Sequence, residues 1–448
     1  MMTHSELLGR ENIKDLLIKM SAPAMVGMAV QSMYSLVDAI FVGRAVGTLG
    51  MAGLQIAFPI QILVMSIAQT IGVGGASIIS RSLGRGDRDH GEKTVGNIFF
   101  LLITLSLSIS IIGLLFTTPI LNLFGATEAS LPYALEYIQV ILWGSVVFVF
   151  AMGSNNIVRA EGNAKVAMTT MIISAGLNII LDPIFIFGLN MGIRGAAVAT
   201  VLSQSFAAIY LVYYFSRGKS SLKVRRAYFR PDAKIVREIF LIGASTFARM
   251  AAGTLMSVIL NHSLAHYGDD TSLAVFVAIN KLLTFTLMPL LGIVQGMQPI
   301  IGYNYGAKEY PRVYETLKLA IMATTAIATL AYIVLMSIPG FMIGLFNDDP
   351  VLIEQGVRAI RINIFVLPVI GYQIVGAGMF QSIGKARPAI ILSLARQVLI
   401  LIPLALILPI FMGTDGIWLA FPISDLLSTV ITHYLMRTQM RSFRLTRL

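Results

Sequence analysis

The chain has 448 residues, 56% of them hydrophobic and 12% charged, with a formal net charge of +11 and no cysteine. Its mean hydropathy of +0.80 is too apolar for a surface that must stay in water, so a soluble globular protein is excluded and the bilayer is the natural solvent. Without cysteine there is no disulfide framework, thiol chemistry or thiolate-bound zinc.

Residues 1–15 carry both signs of charge, and no small-residue cleavage site follows, so the first apolar stretch reads as a retained span rather than a signal peptide. Crossing the hydrocarbon core takes roughly 20 helical residues. Stretches of that kind run near 16–42, 50–79, 95–118, 133–158, 166–188 and 193–216, then near 238–265, 273–301, 316–339, 355–381, 389–411 and 416–436. The expected fold is therefore all-α: a polytopic membrane protein of twelve transmembrane helices.

Of the 33 Lys and Arg residues, 24 fall in the two terminal segments and the even-numbered loops, one (Arg44) in the odd-numbered loops and 8 within these spans. Under the positive-inside rule both termini are cytoplasmic, which places the chain in the cell (inner) membrane as a multi-pass protein. The positive charge thus marks a membrane side, and no nucleic acid is expected.

The segment Arg159–Ala167 matches Gln381–Ala389 at glycine, alanine, a basic residue and alanine, with a constant offset of 222 residues. The same offset carries Gly74, Ile78, Ile79 and Gly84 onto Gly296, Ile300, Ile301 and Gly306. Six spans per half make this a parallel internal repeat, with its axis along the membrane normal. The expected domains are an N-terminal six-helix lobe (1–216), a basic cytoplasmic linker (217–237) and a C-terminal six-helix lobe (238–448). Two equivalent lobes are the usual scaffold of alternating access.

Among 22 acidic residues only Asp38, Asp182 and Asp425 fall within spans away from their first turn, where Glu136 and Glu238 stand, and an ionisable group at that depth is costly unless neutral, paired or facing water. Asp38, Asp182 and Thr200 all lie roughly 6 to 10 Å below the outer surface, counting 1.5 Å per residue from the span ends. Asn178 stands one helical turn before Asp182, and Pro183 frees a carbonyl nearby. Two carboxylates, an amide and a hydroxyl are hard oxygen ligands, suited to an alkali cation or to a shared proton. The bland alternative is a pair of buried acids satisfied by neighbouring donors. Asp425 is expected to pair with Arg396 or Arg249, and Lys281 to snorkel toward the interface.

In span 1, Gln31, Tyr34 and Asp38 form a polar stripe at spacings of three and four, and Asn155 and Asn156 add amides in span 4. The 23 methionines offer adaptable contacts but read mostly as core filler. His262 and His266 stand at i, i+4 with no acid in the same helix, a weak metal signal.

Several local patterns resemble the multidrug and toxic compound extrusion (MATE) family, particularly its DinF-like prokaryotic branch. They are Val37-Asp38-Ala39-Ile40-Phe41-Val42-Gly43, Asn178-Ile179-Ile180-Leu181-Asp182-Pro183-Ile184-Phe185, Gly192 to Thr200, and Gln298-Pro299-Ile300-Ile301-Gly302-Tyr303-Asn304-Tyr305-Gly306. The resemblance implies two six-helix lobes that export small, cationic or amphipathic organic compounds against inward sodium or proton movement. It assigns cation coupling to Asp38, Asn178, Asp182 and Thr200, with sodium held there if sodium is the coupling ion. It also places Gln31, Tyr34 and Asn155 at the drug cavity and a bend at Pro23.

No other cofactor is implied. The expected partners are small organic substrates and membrane lipids, and the expected state is a monomer. Spans 7 and 10 lack the acids that family members coupling through the C-terminal lobe carry. A lipid or lipid-linked saccharide flippase is the alternative; it would want several basic residues in its cleft, of which the N-terminal spans offer almost none, and Arg249 and Lys281 are what supports it. A membrane-embedded enzyme would need a catalytic constellation, and only the Asp38 and Asp182 pair is eligible, so no enzymatic activity is expected.

Overall fold

A computed structural model describes residues 4–217, 220–346 and 348–445; the extreme termini and linker residues Gly218 and Lys219 lie outside the described residues. Among these there are only helices, turns and loops. Ten helices are long and apolar enough to cross a membrane singly. Two bent pairs, Leu131–Trp143 with Ser145–Ala160 (58°) and Pro350–Asn363 with Leu367–Ser382 (48°), complete a set of twelve when each is taken as one span.

Spans 1 to 3 are Ile13–Gly47, Leu49–Gly84 and Arg88–Leu115; span 4 is the first bent pair, and spans 5 and 6 are Ala164–Gly188 and Gly192–Ser216. Spans 7 to 9 are Ala233–Tyr267, Asp270–Gly306 and Tyr310–Ser337; span 10 is the second bent pair, and spans 11 and 12 are Ala386–Met412 and Thr414–Phe443. Every apolar stretch in the sequence has its helix, because in lipid the backbone must satisfy its own hydrogen bonds.

The chain packs into two compact units. One comprises residues 1–11 and 22–243, the other residues 12–21 and 244–448. The first builds its outer core from Val42, Ile60, Tyr137, Ile138, Leu142 and Ile193. The second centres on Leu264, Phe276, Ile279, Ile360, Trp418 and Phe421.

Each unit borrows the start of a helix from the other half of the sequence. In the first unit, the start of span 7 lies backbone to backbone on span 2: a Cβ on Gly243 would stand 2.1 Å from the Thr70 carbonyl oxygen, and one on Gly74 2.1 Å from that of Ile239. In the second, the start of span 1 lies on span 8, where the Ser21 hydroxyl donates to the Ile293 carbonyl at 3.4 Å.

The segment between the sequence halves is strapped to the first unit by carboxylates at the ends of spans 3 and 4. Glu92 accepts from the Lys223 amide at 3.2 Å and pairs with Arg225 at 2.8 Å. Asn97 accepts from the Asp232 amide at 2.7 Å, and Tyr228 donates to Asp89 at 2.5 Å.

Glu161, fully buried in the turn after span 4, accepts from Ser220 at 2.6 Å, Tyr214 at 3.0 Å and the Ser221 amide at 3.1 Å. Burial pushes its carboxyl up to about 7, against the three donors, which favour the charged form.

Candidate functional site

The site lies inside the first unit, where three helices converge on the end of span 1. Span 5 reaches it through an abrupt change of backbone. Pro183 has no N–H to donate, and the helix widens into a π-helical turn at Ile184–Gly188. The chain then reverses within four residues. Asn190 and Gly192 take left-handed conformations (φ 52° and 54°), which an amide side chain and a glycine tolerate best. Span 6 therefore returns directly against span 5, and Thr200 faces Asn178.

The geometry is that of a carboxylate pair with a polar surround. The carboxyl groups of Asp38 and Asp182 stand in direct contact with each other. Asp182 is 0% exposed, Asn178 2% and Thr200 5%, so the site is closed on the side of spans 5 and 6. With its amide nitrogen toward the carboxylate, Asn178 donates to Asp182 Oδ2 at 2.8 Å, and its oxygen lies 3.2 Å from the Thr200 hydroxyl. That orientation is the physical one, since an amide oxygen turned to a carboxylate would repel it. The Tyr34 phenol interacts with Thr200 and lies in the field of both acids.

Two bare carboxylates cannot share such a contact at membrane depth without a proton or a cation between or beside them. One oxygen of each acid, Asp38 Oδ1 and Asp182 Oδ1, is buried with no protein donor. Those orphaned oxygens, with the Asn178 and Thr200 oxygens, fit a small hard cation or a shared proton. Among the described residues no group of three or more His, Asp or Glu side chains comes together, so the donors of a zinc-type site are not assembled.

Asp38, Asn178, Asp182, Thr200 and Tyr34 are thus brought together. Gln31 lies on the same helix, partly exposed. Asn155 faces span 5: its amide donates to the Ala167 carbonyl at 2.9 Å and to the Thr170 hydroxyl, tying two helices. Pro23 falls two residues after Ser21, where span 1 passes from one unit into the other.

Sequence reasoning missed Tyr137 and Gln61. Tyr137 of span 4 is buried in the field of Tyr34, Asp38 and Asp182 and bonded to Gln61 of span 2. A lone phenol and a lone amide inside apolar spans were the available signal. Asp425 meets Arg396 rather than Arg249.

Twelve spans in two repeated sets of six, with a buried acid pair in the first, are the build of a duplicated membrane transporter. The MatE family model matches the chain twice, over residues 23–184 and 246–407, and the chain belongs to that family. The two matches start 223 residues apart (246 − 23), within one residue of the offset read from the sequence.

Among curated proteins it is similar to the multidrug export protein MepA of Staphylococcus aureus (strain MRSA252). The two are 27% identical over 423 residues, covering 94% of this chain and 93% of that protein. Among solved structures it is similar to an outward-facing multidrug resistance MATE family transporter of the MOP superfamily, with 26% identity, TM-score 0.93 and 99% of both chains covered. A MATE transporter in a straight conformation aligns equally fully, at 26% identity and TM-score 0.94.

Proposed function

We propose that the protein is a secondary active multidrug exporter, not an enzyme, which moves small cationic or amphipathic organic compounds outward against inward flow of sodium or protons. The observation that carries the coupling is the contact between Asp38 and Asp182, each with a buried oxygen that lacks a protein donor. A cation or proton bound there neutralises charge at membrane depth, among the larger local changes in free energy available to a membrane protein.

In this reading Asp38, Asn178, Asp182 and Thr200 bind the coupling cation. Gln31, Tyr34 and Asn155 contribute to the substrate cavity, and Pro23 weakens span 1 so that cation binding selects between two of its conformations. Every donor of the cation site comes from one chain, so a monomer suffices.

The test is efflux of an organic cation from proteoliposomes under an inward sodium gradient and, separately, an inward proton gradient. One of the two should drive export well above the leak, and Pro23→Ala should keep binding the compound while exporting it more slowly. Export indifferent to both gradients would remove the coupling.

We further propose that the protein lies in the cell membrane with both termini cytoplasmic, on the strength of the Lys and Arg asymmetry. Because native cysteine is absent, a single introduced one reports cleanly. An impermeant thiol reagent outside intact cells should label Asp348→Cys and leave Lys223→Cys untouched; the reverse pattern would invert the topology.

A further inference from the structure

The second half of the chain holds one buried intramembrane acid among the described residues, Asp425 of span 12, and it is 2% exposed. Its carboxylate takes the Nε–H of Arg396, which stands in a π-helical segment of span 11, Ala395–Leu401. Span 10 braces the same place. Gln373 Nε2 donates to the Asp425 carbonyl at 2.6 Å and to Thr429 Oγ1 at 2.8 Å, while Ser428 Oγ donates to Gln373 Oε1 at 3.2 Å.

The internal repeat locates this pair. Subtracting the offset of 222 carries Arg396 onto the buried Ser174; past the next turn, Gly413 and Gly416 answer to Gly192 and Gly195 at an offset of 221, which carries Asp425 onto the half-buried Gln204. Gln204 is four residues after Thr200 on span 6, and Ser174 four before Asn178 on span 5, so each shares a helical face with a member of the acid site. Spans 5 and 6 are antiparallel, so both displacements run in one direction along the membrane normal. The ion pair therefore occupies the counterpart of the acid site, one helical turn deeper. The acids themselves have no counterpart: the offset carries Asp38 onto Leu260 and Asp182 onto Leu404.

The two sites differ in what neutralises them. Asp38 and Asp182 each keep a buried oxygen with no protein donor, whereas no Asp425 oxygen is left so. We propose that Arg396 is a tethered cation: its guanidinium holds, permanently, the place at Asp425 that a mobile cation would take, so the second half is fixed in a cation-filled state and only the first half responds to the gradient. A guanidinium does not give up its proton in a protein and cannot diffuse away. Neutralising a site this way keeps the buried acid paired, as membrane depth demands, while removing it from the transport cycle. Removing the guanidinium and keeping the acid should then uncover a latent cation site.

This proposal rests on the reading that the Asp38 and Asp182 pair binds the coupling cation, and the experiment separates the two. Sodium-22 binding and net proton uptake are measured on the purified full-length protein, wild type and Arg396→Ala, each with and without Asp182→Asn. Arg396→Ala should bind one cation more per chain than wild type, a doubling. It should keep that extra cation when Asp182→Asn has silenced the first site, and lose it again with Asp425→Asn. Arg396→Lys, which retains a tethered charge, should gain nothing.

If Arg396→Ala is unstable, Arg396→Gln or added ethylguanidinium should restore a monodisperse protein, and the guanidinium should compete with the new cation. Folded Arg396→Ala or Arg396→Gln that binds no more cation than wild type overturns the proposal, as does failure of every variant lacking the charge to fold even with ethylguanidinium present. Wild-type protein with no saturable cation binding would instead defeat the reading of the first site.

Discussion

Asp182→Asn and Asp38→Asn should each bring gradient-driven efflux down to the leak of protein-free vesicles while leaving the protein folded and inserted. The substitutions keep shape and remove charge. A carboxylate at the centre of a span costs about 2.5–3.5 kcal/mol on insertion scales, so replacing one with a neutral amide does not threaten insertion. What disappears is the difference between the empty and the filled site, and a ligand shifts a conformational equilibrium only by that difference.

Asp182 should be the more severe of the two, because it is fully buried and also receives the Asn178 amide. The confirming signature is thermal stability. Wild-type protein should become more stable as sodium is added or as pH is lowered, and both variants should lose that response. Wild-type export by either one would dissolve the site.

Gly243→Leu should eliminate most folded protein from the membrane. A Cβ at that position lands 2.1 Å from the Thr70 carbonyl oxygen and 2.8 Å from its carbon, and both belong to backbone that no rotamer change can move. Overpacking typically costs about 1–3 kcal/mol and more where nothing can yield, against a total stability on the order of 5–15 kcal/mol. Here relief requires lifting span 7 from span 2, and with it the ion pair of Glu238 with Arg81 at 2.9 Å.

Fluorescence-detected size exclusion of a tagged protein reads the loss. Gly176→Ala, where a Cβ meets nothing within 4 Å, serves as the control and should migrate as wild type. A monodisperse Gly243→Leu protein at wild-type yield would contradict the close backbone approach.

The amino-acid sequence alone determined that this is a membrane protein of twelve spans in two repeated halves, and that Asp38, Asp182 and Asp425 are its intramembrane acids. Hydropathy permits this because it is a local sum: about 20 apolar residues in a row leave the backbone one stable conformation in lipid, whatever surrounds them. The scarcity of intramembrane charge made each acid conspicuous for the same reason. Depth along each helix could also be counted, which brought Asp38, Asp182 and Thr200 to one level.

Facing could not be counted. Which side of a helix meets which neighbour depends on rotation about its axis and on packing between segments far apart in the chain. Only the tertiary structure therefore revealed that Asp38 and Asp182 touch, that Tyr137 and Gln61 stand behind them, and that Asp425 takes Arg396 and not Arg249. The exchanged helix starts were illegible for the same reason. Nothing in the composition of residues 12–21 or 233–243 distinguishes a helix packed on its own half from one packed on the other; a glycine on one span and a carbonyl on another decide it.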